Sequence, residues 1–194
     1  MADVIETLRA CADAVGSGYV SAFPESFLTR LEDMSPVWAP YYTLHKLLAG
    51  LLQQHTLGGS TDALRIAEGL ASYIAQRVAK LTQRKSLSYH FETLHQECGG
   101  INEALWTLAA LTGEASHRSI ASHFDKPCLL GPLAVGADQL SGMHGNTALA
   151  LLLGAQRRFE VKLEELQHQP ASAWLQQVTG EAHFHLPNLG WPPS

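Results

Sequence analysis

The stretch Pro40 to His55, PYYTLHKLLAGLLQQH, sets Leu44, Leu47, Leu48, Leu51 and Leu52 at helical spacing and carries a single charged residue, Lys46. Apolar positions recurring every three to four residues argue for a helix, and the near absence of charge predicts burial almost all round. The next segment has a different character. From Thr61 to Leu81, after Gly58-Gly59, the apolar residues Leu64, Ala67, Leu70, Ala71, Ile74 and Val78 are set against Asp62, Arg65, Glu68, Arg77 and Lys80, with Ser60 or Thr61 available as N-cap. This second helix has one wet face.

The pair recurs. INEALWTLAALTG (101–113) is apolar after its first turn, and EASHRSIASHFD (114–125) is again amphipathic. Gly59 with Ile66-Ala67 and Gly113 with Ile120-Ala121 repeat after 54 residues, and a third apolar helix begins at Asn146 (NTALALLLGAQ). Helical solenoids repeat every ~34 residues and ankyrin arrays every ~33, so this period is too long for either. Alternating buried and amphipathic helices suit a double ring, and the expected fold is all-α, a partial (α/α)6 toroid. Inner helices are expected over 40–56, 101–112 and 146–157, and outer ones over 61–81 and 114–124. The connecting stretches are long: 16–40 is rich in Phe, Pro and Trp, and 126–145 (KPCLLGPLAVGADQLSGMHG) is rich in Gly. Loops of this kind often carry binding residues.

Composition narrows the function classes. With 194 residues, 46% hydrophobic and 16% charged, the chain can bury one real core. A net charge of -5, with no basic run beyond pairs such as Arg157-Arg158, leaves no footprint for nucleic acid. There is no apolar run of about 18 residues, and the acidic, amphipathic start (MADVIETLRACADAVGSG) has neither the charge nor the apolar core of a signal peptide. Neither a membrane partner nor a membrane span is expected. Cys11, Cys98 and Cys128 form no CxxC pair and no disulfide framework, and no HExxH occurs, so no metal site is expected within the chain.

The candidate chemistry lies where polar residues interrupt apolar helices. His45 sits one turn into its helix beside Tyr41 and Tyr42 and after Trp38; Asn102 and Glu103 open the second helix, and His144 and Asn146 the third. These are N-terminal positions, which on inner helices of a ring converge on one mouth. There aromatic rings would stack on sugar faces while His, Asn and Glu hydrogen-bond hydroxyls. Each residue also has a plainer reading. Asn102 and Asn146 could be helix caps, Glu103 could complement the helix dipole, and His45 could be a hydrogen-bonded core residue. Trp38 and Trp106 read as core. Cys98 and Cys128 read as small buried apolar residues rather than nucleophiles, and His55, His90, His95, His117 and His123 fall in loops or on amphipathic faces without assigned roles.

Taken together, 16–55, ECGGINEALWTLAALTG (97–113), FDKPCLLGPLA (124–134) and DQLSGMHGNTALALLLGAQRRFEV (138–161) resemble, in order, consecutive motifs of the β-L-arabinofuranosidases, glycoside hydrolase family 127 and the related family 146. VWAPYYTLHK (37–46), GGINE (99–103) and LSGMHGNT (140–147) carry the resemblance most specifically. It implies an (α/α)6 barrel that removes terminal L-arabinofuranose from plant-type glycans, with a zinc-bound cysteine as nucleophile and a glutamate as acid/base. His45 and His144 match histidines that the family places in its sugar pocket, and Asn102 and Glu103 fall where its pattern also has polar pocket residues.

The family's catalytic glutamate, its zinc ligands and its nucleophilic cysteine belong to motifs after a YATGG-like segment, and no such motif occurs here. The expectation is therefore a partial catalytic domain over 1–161 followed by a divergent, poorly packed tail over 162–194, with His183 and His185 exposed and Phe184 and Trp191 undocked. Such a chain would bind carbohydrate, hold no cofactor of its own although zinc is expected in the full-length family, lack activity alone, and self-associate through uncovered helices. The alternative is a non-catalytic helical module that binds glycan or protein.

Overall fold

A computed structural model describes residues 2–167, and the described residues form nine helices and no strand. The expectations for His183, Phe184, His185 and Trp191 lie outside them. The helices are α1 (Ala2–Val15), α2 (Ser26–Glu32), α3 (Pro40–Thr56), α4 (Thr61–Arg84), α5 (Leu87–Thr93), α6 (Ile101–Thr112), α7 (Ala115–Ser122), α8 (Pro127–Ala134) and α9 (Gly145–Gln167). The fold is all-α, as the sequence pattern indicates. None of the described helices is long and apolar enough to cross a membrane.

Local signals set most boundaries. Pro40 opens α3, where its missing N–H costs nothing. Ser60 caps α4, its hydroxyl accepting the Ala63 N–H at 3.2 Å. Gly113 ends α6 at φ 70°, a left-handed conformation that glycine adopts without strain. Helix α9 runs on to Gln167, well past the expected end at Arg157, because no Gly or Pro follows Gly154 until Pro170.

The apolar helices α3, α6 and α9 pack in sequence, α3 on α6 and α6 on α9. The amphipathic α4 covers α3, α7 covers α6, and α1 lies against α4. One continuous core results. Leu51, Leu105 and Leu151 are buried in it, and Leu47 packs half-buried at its edge. Short α2 is fastened to α4 by a bidentate pair in which Arg77 Nε and Nη2 donate to Glu32 at 2.7 and 3.0 Å, both side chains being largely buried. Trp106 is fully buried, as its sequence context suggests. Trp38 is not: 81% exposed, it stands outside the core, because Ala39 takes a left-handed φ of 47° before Pro40 and turns the chain there. Cys98 is buried, whereas Cys128 is exposed, on the solvent side of the first turn of α8. His90 and His117 are likewise buried rather than on loops or wet faces.

Candidate functional site

The N-terminal ends of α3 and α9 and the loop entering α6 enclose a cavity of about 530 Å3. Its lining is Trp38, Ala39 and Tyr42 from the start of α3, His95, Gln96 and Glu97 from the loop, and His144 and Asn146 from the start of α9. That volume lies in the range of small-molecule sites, and two aromatic rings beside amide, carboxylate and imidazole groups match the chemistry of a sugar, which has apolar ring faces and a polar rim. The left-handed Ala39 forms part of this wall. A non-glycine residue there costs on the order of 1 kcal/mol, and such strain concentrates at functional positions.

The loop is locked to both helices. Glu97 Oε2 accepts the Thr147 hydroxyl of α9 at 2.5 Å, while Oε1 accepts the Gly99 N–H at 3.0 Å. Behind it stands His45. Its Nδ1 accepts the Gly100 N–H at 3.2 Å, and its ring meets Tyr42 edge-on with centroids 6.0 Å apart. The approach is close enough that a Cβ on Gly99, whose φ is 59°, would come within 2.7 Å of His45 Nδ1 and 2.8 Å of the Tyr42 ring. Burial, reinforced by the charge of Lys46, holds His45 down to about 4. The imidazole is therefore neutral, with Nδ1 the acceptor and Nε2 the protonated nitrogen. It buttresses Tyr42 and the double-glycine turn from behind the wall.

Of the five residues singled out by sequence, His144 and Asn146 line the cavity and His45 supports it. Asn102 and Glu103 do neither. Asn102 is fully buried, and its amide donates to the Leu151 carbonyl of α9 at 3.2 Å and to Asp125 Oδ1 at 3.5 Å, while its own Oδ1 accepts the Glu103 N–H at 3.0 Å. Asp125 also accepts from Trp106 Nε1 at 3.3 Å and from Arg158 Nη1 at 3.0 Å. Burial raises the Asp125 carboxyl, and Arg158 acts against that. Asn102 thus ties α6 to α9 in a buried polar network, packed so tightly that a Cβ on Gly154 would overlap its amide. Glu103 is half-buried and accepts the Thr107 hydroxyl at 3.1 Å. Sequence reasoning read Trp38 as core and gave His95 no role, and it did not place Gln96 or Glu97 in the site.

Among the described residues, no cluster of three or more His, Cys, Asp or Glu side chains is placed to hold a metal ion. The Cys98 thiol, pushed up to about 11 by burial, is protonated at neutral pH. These residues do not fit the zinc-thiolate centre that the resemblance implies, and no chemical step can be derived through it here.

A search of curated proteins returns no match for this chain. The family model for the β-L-arabinofuranosidase catalytic domain of glycoside hydrolase family 127 matches residues 1–184, nearly the whole length and further than the motif resemblance to Val161. Helix α9, which carries Asn146 in its first turn and runs unbroken through Val161, lies wholly within that match. By this match, and by an all-helical fold that agrees with it, the chain belongs to the glycoside hydrolase family 127 β-L-arabinofuranosidases, as a catalytic-domain sequence.

Proposed function

We propose that the cavity at the head of α3 and α9 is one wall of a sugar pocket for terminal L-arabinofuranose of plant-type glycans, and that this chain binds the sugar without hydrolysing it. The observation that carries the reading is the lining itself: Trp38 and Tyr42 face the same space as His144, Asn146 and Glu97. One aromatic face for stacking and several hydrogen-bonding groups are what a furanose requires. A titration with methyl β-L-arabinofuranoside, followed by calorimetry and by tryptophan fluorescence, tests it. Saturable binding with Kd on the order of 1 mM is expected, weakened roughly tenfold by Trp38→Ala and by His144→Ala. An equal response to a D-galactopyranoside, or binding unchanged in both variants, would overturn it.

The expected lack of turnover is supported by the side chains among the described residues. A zinc-thiolate centre takes about four convergent ligands, and a sugar must be enclosed on all sides to be held in a reactive geometry. Purified alone, the chain is expected to leave an aryl β-L-arabinofuranoside intact and to contain no stoichiometric zinc. Turnover that vanishes on mutating His45 would reverse this reading and would put Glu97, the carboxylate in the cavity lining, in the catalytic role. A second reading, a non-catalytic binding module, is favoured by one observation: Leu149, Leu153 and Phe159 of α9 are each at least 60% exposed. It gains if the sugar titration is silent while the folded chain associates through that face.

A further inference from the structure

We infer that Cys128, with His95 and Glu92, forms a reactive-thiol site that takes small-molecule disulfides beside the wall of the cavity. The inference does not rest on the sugar reading. Cys128 is the second residue of α8 and is exposed. Its Sγ lies 3.9 Å from His95 Nε2, although 33 positions separate the two residues. On the other side of the ring, His95 Nδ1 is 3.4 Å from Glu92 Oε2. This order of thiol, imidazole and carboxylate is one that activates a nucleophile, with the imidazole Nε2 in contact with sulfur and so placed to take its proton. The start of a helix adds its positive dipole end, a setting in which thiols are commonly reactive.

The reaction balances. His95 takes the Cys128 proton, and the thiolate attacks one sulfur of the disulfide. The new Sγ–S bond forms as the old S–S bond breaks, so Cys128 is oxidised to the mixed disulfide while the departing half is reduced to a thiolate and takes the proton from His95. His95 also lines the cavity, so the adduct on Cys128 stands next to a lining residue.

The other two cysteines supply internal controls. Cys11 on α1 is exposed, and its groove is lined by Leu8, Val15, Tyr19 and Leu47, so its thiol has an apolar setting. Cys98 is buried. The experiment treats the folded chain at neutral pH with 5,5′-dithiobis(2-nitrobenzoate), and peptide mapping assigns each adduct to its cysteine. With His95 placed to take its proton, Cys128 is expected to react roughly threefold faster than Cys11, which has no imidazole beside it in its groove. In His95→Ala the Cys128 rate is expected to fall to that of Cys11, while the Cys11 rate itself, which reports on folding, stays the same. Equal rates for the two thiols in the parent chain, or an undiminished Cys128 rate in His95→Ala, would overturn the assignment.

Discussion

Helices α6 and α9 carry the same kind of sequence and end in different surroundings. Both open on polar residues and continue through Leu-rich turns, uncharged after Glu103 in α6 and as far as Gln156 in α9, whose second half is charged. In α6, Ile101, Ala104, Leu105, Trp106, Leu108 and Ala109 are all buried, because α3 and α9 flank it and α7 covers it. In α9 the buried positions are Ala148, Leu151, Gly154 and Val161, on the side that meets α6, and Leu149, Leu153, Phe159 and Leu163 are exposed. Apolar content reports that a helix needs covering. Whether it is covered depends on its neighbours: among the described residues α3, α7 and α9 pack on α6, whereas α9 packs chiefly on α6 and touches α8.

The largest expected effect tests that difference directly. Leu105→Ala in α6 removes side-chain volume from a site with no exposure and should cost about 3 kcal/mol, the transfer loss plus a cavity that the surrounding helices cannot collapse. Leu153→Ala, the same change on the exposed face of α9, should cost less than about 0.5 kcal/mol. Urea denaturation followed by circular dichroism measures both. Equal losses would mean that the bare face of α9 is packed in solution.

A second effect concerns the well-packed half, which holds three histidines lowered by burial, His45, His90 and, in direction, His117. Burial lowers His45 and His90 from 6.5 to about 4, and His90 also has a buried Nδ1 without a partner while Nε2 donates to the His123 carbonyl at 3.0 Å. Both groups bind protons more readily unfolded than folded. Their contribution is complete above about pH 6.5, declines as pH falls, and levels off near pH 4, for a loss on the order of 2 kcal/mol each. Asp125, whose carboxyl is raised by burial, acts in the opposite sense within the carboxylate range. Urea midpoints across this window should therefore fall steadily toward acid, and His90→Gln should make the slope shallower whatever it does to stability at neutral pH. An unchanged slope would show that His90 is charged in the folded protein.

The sequence was legible where its signals were local. Pro40, Ser60 and Gly113 punctuate α3, α4 and α6, so those helices begin or end where reading places them. The motifs around His45 and His144 were legible for the same reason, being contiguous words of a family pattern. What failed depended on residues far apart in sequence. Trp38 read as core because large aromatic rings usually are, and only the left-handed turn at Ala39 puts it in the cavity wall. His95, Gln96 and Glu97 lie in a short loop with no period to read, and they join the site only when α9 brings Thr147 to Glu97. Asn102 was read as a pocket residue or a helix cap, because its partners, Asp125 and the Leu151 carbonyl, lie 23 and 49 positions away.

The smallest expected change in stability tests the comparison from the other side. Leu149 and Leu153 are one turn apart on α9 and each 64% exposed, and Phe159 and Leu163 are exposed farther along it. Scattered exposed leucines mean little, but Leu149 and Leu153 form an adjacent pair, separated by the Gln156–Glu160 hydrogen bond from Phe159 and Leu163 on the same face. This face is expected to drive self-association, since a second copy offers the same apolar groups. Replacing Leu149 and Leu153 by lysine should leave the unfolding free energy within about 0.5 kcal/mol, because leucine and lysine have similar helix propensity and neither side chain is in the core. Sedimentation should nonetheless change from concentration-dependent in the parent chain to a single monomeric species in the variant. A parent chain that sediments as a monomer at the highest concentration reached would break the comparison, because α9 would then be as well covered in solution as α6.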